Sequence, residues 1–217
     1  MTKTGIAAFF SGLLLGILVL IFATALGLGI IHLTDFPYTL GIDALNIEES
    51  SGLNREEILI NYNAVMDFLS PFSNAEFDLP SLNYSAEGAS HFDDCKPIFN
   101  GIYLLGALSG VALLILAITK KKTLSSRVLR VSAVITVTIP ALLSAAVFIS
   151  FDKTFELFHK IFFDGDTWLF NPLIDEVINI LPADFFMHCA MFIVAMWLVA
   201  ALLQYILARK IDKARVL

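Results

Sequence analysis

Two histidines carry the chemistry this sequence offers. His91 lies in Ser90-His91-Phe92-Asp93-Asp94-Cys95, where a helix would set Asp94 at i+3 to orient the imidazole. His159 lies in FDKTFELFHKIFF, residues 151–163. Read as a helix, this stretch gathers Phe151, Phe155, Leu157, Phe158 and Phe162 on one side, with Lys153, Glu156 and Lys160 on the other. His159 falls at the edge of the apolar face, at the depth of lipid ester carbonyls. Free imidazole titrates near 6.5, so a pair of histidines supplies a base and an acid near neutral pH. Taken singly, each is more often a snorkelling or capping group, and a Phe-rich amphipathic segment more often only seals a bundle. Ionisable groups at a membrane interface shift the balance toward function.

Other reactive patterns are weak. His91, His159 and Asp94 have zinc-ligand types, but no HExxH or His-x-His spacing supports a metal site, and no metal or cofactor is expected. There is no GxSxG and no catalytic Cys–His signature. Cys95 and Cys189 form no disulfide framework. His32 reads as a helix-end residue, and Asp184 with His188 (i, i+4) as a buried polar pair between helices.

The elements that position these residues are set by the bilayer. The 217 residues are 58% hydrophobic and 16% charged, with a mean hydropathy of +0.80. A soluble domain needs more charge than that, and the apolar residues fall in runs long enough to span. We expect an all-α integral membrane protein with four transmembrane helices, at about 6–31, 98–119, 131–150 and 183–208. The first run is too long for a signal-peptide h-region, so it reads as an uncleaved span. Gly12-x-x-x-Gly16 and Gly106-x-x-x-Gly110 read as helix-packing motifs, and Pro140 interrupts the third span. Two long loops, 32–97 and 151–182, are expected to form a helical extracytoplasmic cap on a single membrane domain. In the first, Asn54-Arg55-Glu56-Glu57 resembles a capping box, followed by an apolar face through Ile58, Tyr62, Val65, Met66 and Leu69 and a stop before Pro71. In the second, Asp164-Gly165-Asp166 reads as a turn, Trp168 as an interface anchor, and Asn171-Pro172 as the start of a helix whose one side is Leu173, Val177 and Ile180.

Charge sets the orientation. Lys3, the 120–130 connector and the C-terminal tail hold ten of the 14 basic residues, and the two long loops hold 18 of the 20 acidic ones. The positive-inside rule then places both termini in the cytoplasm and both long loops outside.

The four-span layout, NREEILINYNAVMDFLS, SHFDDCKPIF and FHKIFFDGDTWLFNPLIDEVINILPADFF resemble the lipoprotein intramolecular transacylases (Lit) of Gram-positive bacteria, over nearly the whole chain. The SHFDDC piece departs from an HLxDV-like family run at Phe92 and Cys95. The resemblance implies transfer of the sn-2 acyl chain of a diacylglyceryl lipoprotein to the α-amino group of its N-terminal Cys, giving the lyso-form, and it places the family's two essential histidines on His91 and His159. The partners implied are diacylglyceryl-modified lipoproteins and membrane lipids, with no nucleic acid, and the protein is expected to act as a monomer. Acid–base chemistry of this kind leaves supporting roles open. Asp94, Asp166 or Asp175 would orient an imidazole or hold the substrate ammonium, and a second His, Trp168 N–H or Asn171 would serve the oxyanion. Arg55 and Tyr62 are added as supporting or substrate-binding residues. The competing readings are a phospholipid or lipoprotein deacylase using the same His pair, and a non-enzymatic four-span sensor or assembly protein.

Overall fold

The computed structural model describes residues 3–119 and 124–216, and among these all regular structure is helical. The elements are α1 (Lys3–Leu33), α2 (Tyr38–Ala44), α3 (Ile47–Ser51), α4 (Arg55–Leu69), α5 (Ala86–Thr119), α6 (Ser126–Ile149), α7 (Phe151–Phe162), α8 (Val177–Ile180) and α9 (Ala183–Val216). Four of them are long and apolar enough to cross a membrane: Gly5–Leu33, Ala86–Thr119, Ser126–Ile149 and Ala183–Ala214. The basic connector Lys120-Lys121-Lys122 lies outside the described residues.

The chain divides into two compact units. The first comprises Met1–Leu28, Leu104–Ile149 and Phe192–Leu217. Its helices approach closely where the glycine motifs lie. A Cβ built on Gly12 would sit 2.6 Å from the Val131 side chain and 2.9 Å from the Val128 carbonyl oxygen, and one on Gly106 would collide with Ala25. These contacts need the bare Cα, as expected of small-residue packing between spans. Polar cross-links add to them: Trp197 Nε1 donates to Thr24 Oγ1 at 2.9 Å, Gln204 Nε2 to Thr136 Oγ1 at 3.2 Å, and Arg130 pairs with Asp212.

The second unit comprises Gly29–Tyr103 and Ser150–Met191. Its core is built from short amphipathic helices. Tyr38 of α2 stacks on Tyr62 of α4 at 3.8 Å, with Ile42, Ile47, Ile58, Val65, Val177 and Ile180 buried around them. The α4 capping box is formed as its sequence specifies, with Glu57 N–H on Asn54 Oδ1 and Asn54 N–H on the Glu57 carboxylate, and the helix stops at Leu69 before Pro71. His32 ties three segments together: one ring nitrogen bonds the Met66 carbonyl and the other the Tyr103 hydroxyl at 3.0 Å.

Three expectations are revised. The helix that holds the span expected at 98–119 begins earlier, at Ala86, and carries His91 and Pro97 within it; Ser85 caps its first turn by accepting the Gly88 N–H at 2.9 Å. Second, residues 171–180 form no single helix. Asn171 begins a turn, its carbonyl accepting from Ile174 and Asp175, and only Val177–Ile180 is helical, because the Asp175 carboxylate turns aside to Ser85. Third, Asp184 is exposed in the first turn of α9, not buried in a pair with His188.

Candidate active site

Both candidate histidines belong to the second unit, and folding brings them together. Their ring centroids are 5.7 Å apart, from residues 68 positions apart in sequence. Both are buried, with 6% and 7% of their surface exposed. His91 rides on the second turn of α5. His159 is the buried residue of α7, whose amphipathic pattern turns Phe158, Ile161 and Phe162 outward and the imidazole inward. Ser150 caps α7, accepting from Lys153 N–H.

The hydrogen bonds define the two rings. His159 Nδ1 lies 2.8 Å from the Phe155 carbonyl. A carbonyl only accepts, so Nδ1 carries the proton and Nε2 keeps the lone pair. Burial pushes the His159 pKa below the usual 6.5, partly offset by the Phe155 bond that favours the charged ring. His159 is therefore neutral at pH 7, with Nε2 ready to accept. His91 is held by a different partner. Its Nε2 faces Cys95 Sγ at 3.6 Å, and its buried Nδ1 has no partner among the described residues. With the thiol as donor, His91 carries its proton on Nδ1.

Aromatic rings hold the pair in place. Trp168 stacks on His159 at 4.7 Å and 27°, Phe155 lies 4.3 Å from it, and Phe163 sits 4.6 Å from His91 and 5.4 Å from His159. Both imidazoles open on a cavity of about 260 Å³, the volume of roughly nine waters. Its walls are aliphatic and aromatic, among them Val65, Leu69, Phe92, Phe170, Ile178 and Phe185. Among the described residues, its polar side chains are the two imidazoles, the Cys95 thiol and the Trp168 indole, and no carboxylate lines it.

The supporting residues proposed from sequence divide sharply. Trp168 lines the cavity, but its Nε1–H donates to the Gly165 carbonyl at 3.2 Å, so the indole offers His159 a face and not a donor. Asp175 is buried and acts at one remove: Oδ1 accepts from Ser85 N–H at 2.8 Å and Ser85 O–H at 2.7 Å, at the start of the helix that carries His91. Asp94 and Asp166 are exposed. Asn171 Oδ1 accepts from Leu173 N–H within its own turn. Arg55 pairs with Asp43 at 2.7 Å and bonds the Thr39 carbonyl, fastening α4 to α2. Tyr62 is stacked in the core and donates to the Ile31 carbonyl at 3.3 Å. Sequence reasoning missed Cys95 as a neighbour of His91, although the i, i+4 spacing was visible. It also missed Phe163 and Phe170, which no periodicity distinguishes from the other phenylalanines nearby. Cys95 and Cys189 are both free thiols.

Four long apolar helices among the described residues, and an apolar cavity onto which two imidazoles open, define the class: a multi-pass membrane protein. The model of the family described as lipoprotein intramolecular transacylase Lit matches residues 12–186. The in meso structure of the membrane integral lipoprotein intramolecular transacylase Lit from Bacillus cereus is 31% identical, with a TM-score of 0.89, over 98% of this chain and 100% of that one. Two variants of the Bacillus cereus protein, one with a histidine replaced by arginine and one by alanine, match at 30% identity with TM-scores of 0.84 and 0.77. The first of these covers 98% of this chain and 96% of that one, the second 99% and 98%. No curated protein matches. This chain belongs to the lipoprotein intramolecular transacylase family. It is an acyltransferase of lipoprotein processing, integral to the membrane, moving an acyl chain within one lipoprotein molecule.

Proposed function

We propose that His91 and His159 are the catalytic pair, and that the acyl chain moved is the sn-2 chain of a diacylglyceryl lipoprotein, delivered to the α-amino group of its N-terminal Cys. The single observation that carries this reading is the two imidazoles 5.7 Å apart in one apolar cavity, each with its proton on Nδ1. The α-amine, with a pKa near 7.7–8.0, must be neutral to attack. As its nitrogen bonds the sn-2 carbonyl carbon, His159 Nε2 takes the amine proton. The oxyanion that develops accepts a hydrogen bond from His91 Nδ1–H, the donor that has no other partner among the described residues. The C–O bond to glycerol then breaks, and the proton on His159 passes to the departing glyceryl oxygen. Amide and alcohol are formed, both rings return to their starting states, and no acyl-enzyme is needed. Donor and acceptor share one substrate molecule, so orientation supplies much of the rate.

In this reading Trp168 and Phe155 position His159, Cys95 holds the tautomer of His91, and Asp175 anchors the helix beneath it. Asp94, Asp166, Asn171, Arg55 and Tyr62 take no part in the chemistry. Both termini are cytoplasmic, and the loops 32–97 and 151–182 lie on the extracytoplasmic side together with the site. The segregation of acidic loops from basic ends supports that orientation. The outward apolar face of α7, with Ile161 and Phe162 exposed, suits a helix lying at the acyl boundary. Both imidazoles come from one chain, in keeping with a monomer.

The roles separate under substitution. His159→Ala and His159→Gln both remove the base and should lower N-acylation by about 10²–10⁴-fold. His91→Ala removes an oxyanion donor, a loss of about 10²–10³-fold, whereas His91→Gln keeps an N–H donor and should recover part of it. Mass spectrometry of lipoprotein N-termini from cells carrying each variant measures this. Undiminished lyso-form from either alanine variant would refute the pair, and accumulation of free fatty acid with a free amine in the wild type would favour hydrolysis over transfer.

A further inference from the structure

We propose that the first unit holds a specific site for one anionic phospholipid, in the groove between α6 and α9. The groove encloses about 590 Å³ and is lined by Ala133, Val134 and Val137 of α6 and by Leu198 and Leu202 of α9. Arg130 closes one end. Two contacts give the register of the helices: Arg130 meets Asp212 and Thr136 meets Gln204, so they run antiparallel and Leu198 lies opposite residue 142 or so. From Arg130 to that level is about 12 residues, or roughly 18 Å at 1.5 Å per residue. A single leaflet is about half of a 30 Å hydrocarbon core. The groove thus has the length of one acyl chain in one leaflet, with a guanidinium where the phosphate would sit.

Charge selects the headgroup. The first unit carries ten Lys and Arg residues and a single acidic residue, Asp212. One cation lines the groove and a second touches a residue that does. Arg130 lines it, and Arg209 donates to the hydroxyl of Tyr205, another lining residue, at 3.3 Å. The contact of Arg130 with Asp212 is made through Nη2, and a guanidinium has five N–H donors in a planar fork that suits phosphate. Asp212 holds that fork in place, and the phosphodiester is its second acceptor. Basic pockets between spans bind anionic headgroups on these terms. The site lies wholly within the first unit and is independent of the histidine pair.

The test uses the full-length protein in a neutral detergent. Its thermal midpoint is followed while phosphatidylglycerol or phosphatidylcholine is titrated in at matched mole fraction. Phosphatidylglycerol should stabilise saturably, at concentrations at least tenfold below those phosphatidylcholine needs. Arg130→Gln with Asp212→Asn removes the fork without leaving a lone carboxylate, and should erase that preference. Val134→Trp, which obstructs the groove at an exposed position and leaves every charge in place, should erase it as well. Equal stabilisation by the two lipids would overturn the site. So would a phosphatidylglycerol preference that survives both variants, the mark of diffuse charge alone. Inorganic phosphate reproducing the effect in phosphatidylcholine would also overturn it, since the ligand would then be an anion and not a lipid.

Discussion

The start of α5 depends on a carboxylate 90 residues away, and removing it should loosen His91 without touching the cavity. Asp175 Oδ1 accepts two short bonds from Ser85, and Oδ2 a longer one of 3.4 Å from Asn171 N–H. Hydrogen bonds to a charged group contribute about 1.5–3 kcal/mol each. Ser85 is half-buried, so water recovers part of the loss. Asp175→Ala should then cost about 2–4 kcal/mol, a fall in Tm of roughly 4–16 °C for a chain of this size. Asp175→Asn keeps one acceptor oxygen and should cost about half as much. Rate should fall with both, by at least about tenfold for alanine, because His91 sits six residues past the cap, about 9 Å up the helix. Gly88 provides an internal check. A Cβ there would collide with Asp175 Oδ1. Gly88→Ala should therefore destabilise the wild type, yet stabilise Asp175→Ala by up to about 1 kcal/mol, since alanine outranks glycine in a helix once the clash is gone. Thermal unfolding in detergent gives the cycle, and lipoprotein N-terminal mass spectrometry gives the activity. An Asp175→Ala protein that melts with the wild type, or a Gly88→Ala effect of the same sign in both backgrounds, would refute the anchor.

Two further outcomes follow from contacts already described. Trp168→Ala uncovers His159, so desolvation relents and its pKa climbs back toward 6.5. The rate falls as pH drops through the folded pKa of the base, so this acid limb should lie below pH 6.5 in the wild type and move up in the variant, while the limb due to the substrate amine stays put. The same sign governs stability: a depressed His pKa means the unfolded chain binds the extra proton, so stability is full above pH 6.5 and declines as pH falls below it. An unmoved acid limb in the pH–rate profile of Trp168→Ala would sink the assignment of His159 as base. Gly12→Val places a branched side chain where Val131 and the Val128 carbonyl already stand, and should cost about 1–3 kcal/mol of stability in detergent, with a near-wild-type result excluding close packing there.

Local signals were legible, long-range ones were not. The α4 cap and stop, the four apolar runs and the amphipathic α7 are each written in a few neighbouring residues, and they fold as written. The histidine pair was singled out by residue type, interfacial position and flanking carboxylates and phenylalanines, with the family resemblance pointing to the same two residues, and their rings lie 5.7 Å apart. The polar helpers were harder. Asp94 and Asp166 stand next to the histidines in sequence, yet both face solvent. Asp175 was singled out for direct contact with the chemistry, but its partner is Ser85, a tie that no periodicity predicts. The same tie undid the expected helix after Asn171: local propensity favoured it, and a buried carboxylate serving another helix prevailed.

That displacement of charge bears on how the proposed site would favour acyl transfer over ester hydrolysis. Asp93, Asp94, Asp164 and Asp166 flank the two histidines in sequence, and all four are exposed, so among the described residues no charged side chain lines the cavity around the imidazoles. An ammonium is costly there, and so is a second imidazolium beside the first. A neutral amine is admitted at far lower cost, and it meets a base that burial has kept unprotonated. Water gains little in a space walled by Phe92, Phe163, Phe170 and Val177, where a bound molecule has few polar partners beyond the groups the reaction itself employs. The amine arrives covalently tethered to the ester it attacks, at an effective concentration that a sparsely hydrated cavity denies to water. On this account selectivity for transfer comes from the apolar walls, and adding a carboxylate near the pair, as in Phe163→Asp, would raise hydrolysis relative to N-acylation even where total turnover falls. Measuring the ratio of free fatty acid to lyso-form lipoprotein decides it: a ratio that stays at the wild-type value would place the selectivity in the tether alone.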